Sequence, residues 1–247
     1  MNTSLPEALA EGLAEDAETL ALLQDRELNA ETLSCLRHLA FPGNLALQAD
    51  GEAVKAHQLM TTAMATLPAK FDQATLDELA ADFAAIHLNG GYGASPSESV
   101  WLSDDHLICQ ESMFALRRIY AAKGLAAPDW RLRPDDHLVY QLQFVGHCLR
   151  TGRSDDDWRA LAVFLDEHPL RWLGDFAQRV AHRCDTAFYA ALSLLTAAWV
   201  EQLRNVLAAL LEEARPSRET IEARMQRTPK PADSVPLAFV PGMGPTL

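Results

Sequence analysis

The stretch 187–211, AFYAALSLLTAAWVEQLRNVLAALL, places Phe188, Leu192, Leu195, Trp199, Leu203, Val206 and Leu210 at steps of three or four residues. That spacing brings all of these side chains to one side of a 3.6-residue helix and keeps them there for about six turns. It predicts a long central helix that stops before Pro216, whose ring removes an N–H and clashes with the preceding turn. The most apolar part, 187–200, is shorter than the ~20 residues a bilayer needs, so no stable membrane insertion is expected. A helix this apolar needs others around it.

The same period recurs upstream. Leu173, Phe176 and Val180 share a face, as do Trp158, Leu161 and Leu165, then Leu138, Leu142, Val145 and Leu149, and further back Leu76, Leu79, Phe83 and Ile86. Start signals accompany the stripes: Ser4 with Glu7 and Pro6 fits a capping box, and Asn29 and Ser154 suit N-caps. Ser103, ahead of Asp104 and Asp105, reads as another cap, and Pro134 as a first-turn residue. Pro42 with Gly43, Gly124, and the segment 89–99, NGGYGASPSES, read as breaks. With few β-branched runs and no alternating strand pattern, the expectation is all-α: a single helical-bundle domain over 1–215 and a Pro-rich C-terminal tail over 216–247. Within that tail Arg224, Arg227 and Lys230 precede an apolar run, 235–240.

Of 247 residues, 49% are apolar, enough for a substantial core, and the formal charge of −13 argues against nucleic acid, which demands a Lys/Arg surface. Cys35, Cys109, Cys148 and Cys184 form no CxxC pair and read as reduced, mostly buried thiols. Acids stand near the N-terminus where an export signal carries basic residues, so a cytosolic protein is expected.

Enzyme templates fail in turn: the sequence has no HExxH, no GxSxG and no phosphate loop, and GGYG does not complete a dinucleotide fingerprint. Eight dispersed histidines leave open a helical enzyme, or a metal- or cofactor-binding protein, built on a fold-assembled histidine cluster. The remaining oddity is 133–138, RPDDHL, where two acids and a histidine open a helix. Asp135 and Asp136 complement the helix dipole, but His137 has no evident capping role there. Asp136, Tyr140, Gln143 and His147 share one helix face beside the apolar stripe, as a groove wall would.

PSESVWL (96–102), QESMFALRRIYAAKGL (110–125) and RPDDHLVYQLQFV (133–145) together resemble the TorD/DmsD/NarJ-type chaperones of molybdenum redox enzymes. The last segment is similar to the family's Glu-Pro-x-Asp-His pattern, with Arg133 where glutamate is common. The resemblance implies an all-helical fold that some members exchange between protomers, as monomer or homodimer. It implies a non-enzymatic protein without a cofactor of its own. Its partner would be the apo catalytic subunit of a molybdenum oxidoreductase and that subunit's twin-arginine signal peptide. Carried over by motif are Pro96, Trp101, Pro134, Asp136 and His137, with Phe83 and Ile86 near the family's aromatic segment, although His87 stands where an apolar ring is usual. On this reading Asp136, Asp135 and Glu98 receive the leader's guanidinium groups, and Trp101, Phe83 and Ile86 line its apolar part. Replacing Asp136 and His137 by Ala would then weaken leader binding and leave melting nearly unchanged.

Overall fold

The computed structural model describes residues 5–227, with the side chains of the last two of these left aside. The chain divides into two compact units, Met1–Arg215 and Pro216–Leu247. Among the described residues the first unit contains α1 (Glu7–Asp25), α2 (Ala30–His38), α3 (Ala53–Thr66), α4 (Gln73–Phe83), α5 (Ser99–Leu102), α6 (Glu111–Ala122), α7 (Leu138–Thr151), α8 (Asp155–Glu167), α9 (Leu173–Arg183) and α10 (Ala187–Leu211). The second has α11 (Arg218–Arg227). The all-α class is therefore what the structure shows. Ser4, and the apolar run of the tail at 235–240, lie outside the described residues.

Helix α10 is the axis of the first unit, packed against α9, α3 and α8. Phe188, Leu192, Leu195, Trp199 and Leu203 are buried as the period requires. By length and composition this 25-residue helix is apolar enough to cross a bilayer, but its apolar side is enclosed by neighbouring helices. Polar ties fix its rotation. Gln24 Nε2 donates to Thr196 Oγ1 at 3.0 Å, and Trp199 Nε1 donates to buried Asp16 Oδ2 at 3.1 Å. Arg204 Nε donates to both oxygens of buried Asp166 at 3.0 Å.

Helix α1 lies along α7. Gly146 faces α1, and even a Cβ there would meet Ala14 O at 3.4 Å and the Ala17 methyl at 3.7 Å, ordinary contact distances. A single buried carboxylate joins α4 to the start of α10: Asp82 accepts from Asp185 N–H at 3.0 Å, Thr186 N–H at 2.7 Å and the hydroxyls of Thr186 and Tyr92 at 2.5 Å each.

Two starts differ from the sequence reading. Ser103 does not open a helix but ends α5, its hydroxyl donating to Ser99 O at 2.7 Å. The chain then turns through His106 and Cys109, with φ of 52° and 60°, and α6 begins only at Glu111. Pro134 precedes rather than enters its helix, because α7 starts at Leu138. The thiols are also less enclosed than expected: Cys35 is exposed and the other three are half-buried. Asn29 and Ser154 do cap, the latter in a reciprocal box with Asp157.

Candidate functional site

Two distant segments meet at the RPDDHL stretch. Residues 96–98 run antiparallel to 136–138: Leu138 N–H donates to Pro96 O at 2.8 Å and Glu98 N–H to Asp136 O at 3.1 Å, about a Ser97–His137 bridge. Just before it, 134–137 forms a turn closed by His137 N–H on Pro134 O at 3.1 Å, and His137 itself is extended, so α7 starts only at Leu138. His137 then serves as its N-cap, with Nδ1 accepting the Val139 N–H at 3.2 Å. Only a neutral ring offers that lone pair, and burial together with nearby His87 and Arg133 holds the His137 pKa well below its ordinary value.

The acids of the motif face inward. Asp136 Oδ2 accepts the Ser99 N–H at 2.8 Å, at the start of α5. Burial raises its pKa, with the Ser99 bonds opposing. Glu98 is fully buried; Oε1 accepts from His168 Nδ1 at 3.0 Å and Oε2 from Gln141 Nε2 at 3.1 Å. Gln141 Nε2 also donates to Asp136 O at 3.0 Å, so one network runs from the motif through α7 to the end of α8. Asp135 is taken by a two-pronged pair with Arg117, at 3.2 Å from Nε and 2.8 Å from the terminal nitrogen. Arg133 donates to the Asp25 carboxylate and, at 2.9 Å, to Asp25 O, and its guanidinium lies 5.6 Å from the Tyr140 ring centre.

His87 extends this group. It stacks against Phe83 at 4.8 Å and faces His137 at 6.0 Å between ring centres. Its Nδ1 is enclosed without a hydrogen-bond partner, and burial, aided by Arg133, drives its pKa down to about 3.

The side chains expected to receive a leader's guanidinium groups are instead committed within the fold. Asp136 and Glu98 are 0% exposed, Asp135 2% and His137 5%, so none presents a free carboxylate or imidazole to an arriving arginine. The reason is physical: a buried helix start and the backbone of a second loop need those acceptors first. Phe83 and Ile86 are core residues and Pro96 is buried, while Pro134 is half-buried. Trp101 is half-buried with its indole N–H donating to Ser95 O at 2.7 Å, its ring against Trp172 and Phe176, and Arg179 4.6 Å above it.

The strip flanking the motif fares differently. Tyr140, Gln143 and His147 line a recess of about 220 Å³ with Tyr120, Leu125 and Pro128. Across Phe144 lies a larger groove of about 540 Å³ between α6, α7 and α8. Ile119, Phe144, Val163 and Phe164 form its apolar walls, and His168 lies at its inner side. His168 and Phe164 were not recognised from the sequence; the one available signal, a histidine before Pro169, says nothing of its partner Glu98, 70 residues away. Among the described residues no three His, Cys, Asp or Glu side chains converge to hold a metal ion, so a histidine-cluster centre gains no geometric support.

Comparison with known proteins points the same way as the motif. The sequence profile of the nitrate reductase delta subunit family matches residues 48–178, just over half of the chain. "Chaperone protein TorD" of Vibrio cholerae serotype O1 (strain ATCC 39541 / Classical Ogawa 395 / O395) is 28% identical over 144 residues, covering 55% of this chain and 65% of that protein. The protein of that name from Shewanella oneidensis is 33% identical over 137 residues, covering 53% and 61%. In Shewanella sp. (strain MR-4) the identity is 35% over 143 residues, covering 55% and 66%. The matched part thus spans a little under two thirds of these relatives. With the all-α fold, the 96–98/136–138 clamp and the profile match in agreement, the chain belongs to the nitrate reductase delta subunit family, the TorD/NarJ type of redox enzyme maturation proteins.

Proposed function

We propose that the protein is a cytosolic maturation chaperone for the catalytic subunit of a molybdopterin-containing oxidoreductase. It binds the apo-subunit, its twin-arginine leader, or both, assists cofactor insertion and holds back premature export. No catalytic step belongs to this role. One observation carries the reading: the family match, 48–178, contains the clamp and both depressions beside Phe144, so the part shared with TorD-type relatives is the part that shapes a concave surface. The charge of −13 suits a client segment bearing paired arginines, whose approach it accelerates. Pro96, Glu98, Pro134, Asp135, Asp136 and His137 act in this reading as positioning residues that hold the frame, while Tyr140 meets the client at the recess.

The test is capture of the client from the native host by tagged full-length protein, with mass identification, paired with calorimetry on the identified leader peptide. A molybdoenzyme catalytic subunit enriched over an untagged control is the expected result. Enrichment of no redox-enzyme subunit would overturn the reading.

A further inference from the structure

The groove between α6, α7 and α8 has features that the clamp does not use. Along α8 its lining runs from Asp156 through Arg159, Val163 and Glu167 to His168, the whole length of that helix. At 1.5 Å per residue the run is about 18 Å long. That suits three turns of a peptide helix better than a compact small molecule. Ala122 and Ala160, both exposed, leave its upper edges low, and Phe144 and Phe164 give it an apolar base.

Two polar groups in it are uncommitted. Lys123 and Arg159 at the rim are already paired, with Asp157 at 3.8 Å and with Asp156 and Glu213 at 2.7 and 2.8 Å. Glu167, half-buried, has no ion pair among the described residues and is left as the uncompensated charge of the rim. His168 is 2% exposed and lines the groove with Nδ1 spent on Glu98. The other ring nitrogen, Nε2, has no hydrogen-bond partner among the described residues and is open to a polar group entering the groove.

We propose that this groove is a docking site for an amphipathic helical segment of a partner polypeptide. That segment buries two or three aliphatic side chains against Phe144, Phe164, Val163 and Ile119. It places one arginine or lysine on Glu167 and gives His168 Nε2 a hydrogen-bond partner. The proposal rests on the chaperone reading for the partner's identity, but locates the contact away from the buried acids of the RPDDHL motif.

The experiment uses the full chain and a fluorescein-labelled 14-residue peptide with leucines at i, i+3, i+4 and i+7 and a single arginine one turn beyond, read by anisotropy. A matched peptide carries norleucine for the arginine. Ala160→Trp fills the groove from an exposed position and should weaken binding at least tenfold with melting unchanged. Glu167→Gln should weaken the arginine peptide about fivefold and the norleucine peptide by less than twofold. Absence of binding by the wild-type chain, or equal affinity of A160W, overturns the groove assignment. Binding of palmitate that A160W abolishes, with no peptide binding, would reassign the groove to a lipid and likewise overturn it. Capture of the molybdoenzyme subunit by wild type and A160W alike would sink the groove and leave the chaperone reading standing. Failure of capture by wild type, with groove-dependent peptide binding intact, would sink the chaperone reading alone.

Discussion

His137 and Val139 are joined through a ring nitrogen: the imidazole Nδ1 accepts the Val139 N–H at 3.2 Å and so caps α7. Protonation would convert this acceptor into a donor facing a donor. The cap thus exists only while the ring is neutral.

An acid-sensitive stability follows from this pair of histidines. His87 and His137 both have folded pKa values below the ordinary 6.5, so the unfolded chain takes up protons that the folded one refuses. Their effect is nil well above that pH and destabilising as pH falls beneath it, continuing for His87 to about 3. Each contributes up to about 1.4 kcal/mol per pH unit. Asp136 works in the opposite sense, since its raised pKa lets the folded state gain a proton on acidification. Melting temperatures between about pH 7.5 and 5 should fall for the wild type and fall less steeply for His87→Phe. Parallel slopes would show that His87 does not carry the effect.

Asp136→Ala should lower stability by about 1–3 kcal/mol, because the buried Ser99 N–H loses its acceptor. Asp136→Asn keeps an acceptor oxygen and should cost less. This reverses the sequence-based expectation that Ala substitution here leaves melting unchanged, and denaturant titration decides between them. An Ala variant unfolding at the wild-type midpoint would contradict the clamp.

Glu98→Ala should be harsher, about 3–5 kcal/mol, since it strands His168 Nδ1 and one Gln141 bond in a dry interior. Glu98→Gln should fall between it and the wild type. Denaturant midpoints order the three proteins, and an Ala variant as stable as the Gln variant would mean that the His168–Glu98 bond carries no weight.

Trp101→Phe removes the N–H to Ser95 O and weakens the stacking of Arg179, together about 1 kcal/mol or somewhat more. The expected signature is local: faster amide exchange within 89–99 with little change in global melting. Unchanged exchange there would mean that the indole does not tether the loop.

Much of the fold is legible in the sequence because helical period and burial are the same fact seen twice. The stripes of α4, α7, α8, α9 and α10 face inward in the structure, with Leu76 at the start of the first and Val206 and Leu210 at the end of the last half-buried. The misread starts, Ser103 and Pro134, share a cause. A capping signal is local, whereas the hydrogen bonds that displaced it come from elsewhere: Ser99 and Asp136 lie 37 residues apart in the chain. The same holds for the site. RPDDHL shows that polarity gathers at a helix mouth, but not that a second loop satisfies it, nor that a neutral ring caps the helix. Of the face read as a groove wall, Tyr140, Gln143 and His147 border a depression, whereas Asp136 is fully buried and does not.

Helix α10 carries one further implication, for synthesis. A segment of 25 residues apolar enough for a bilayer is a hazard in water until it is sheathed, and the helices it packs against, α3, α8 and α9, all precede it in the chain. When α10 leaves the ribosome its sheath has already been translated, so docking need not wait for anything downstream. An internal deletion within α3, α8 or α9 would expose the segment to insertion machinery or self-association, and the order of elements along the gene is therefore itself a safeguard.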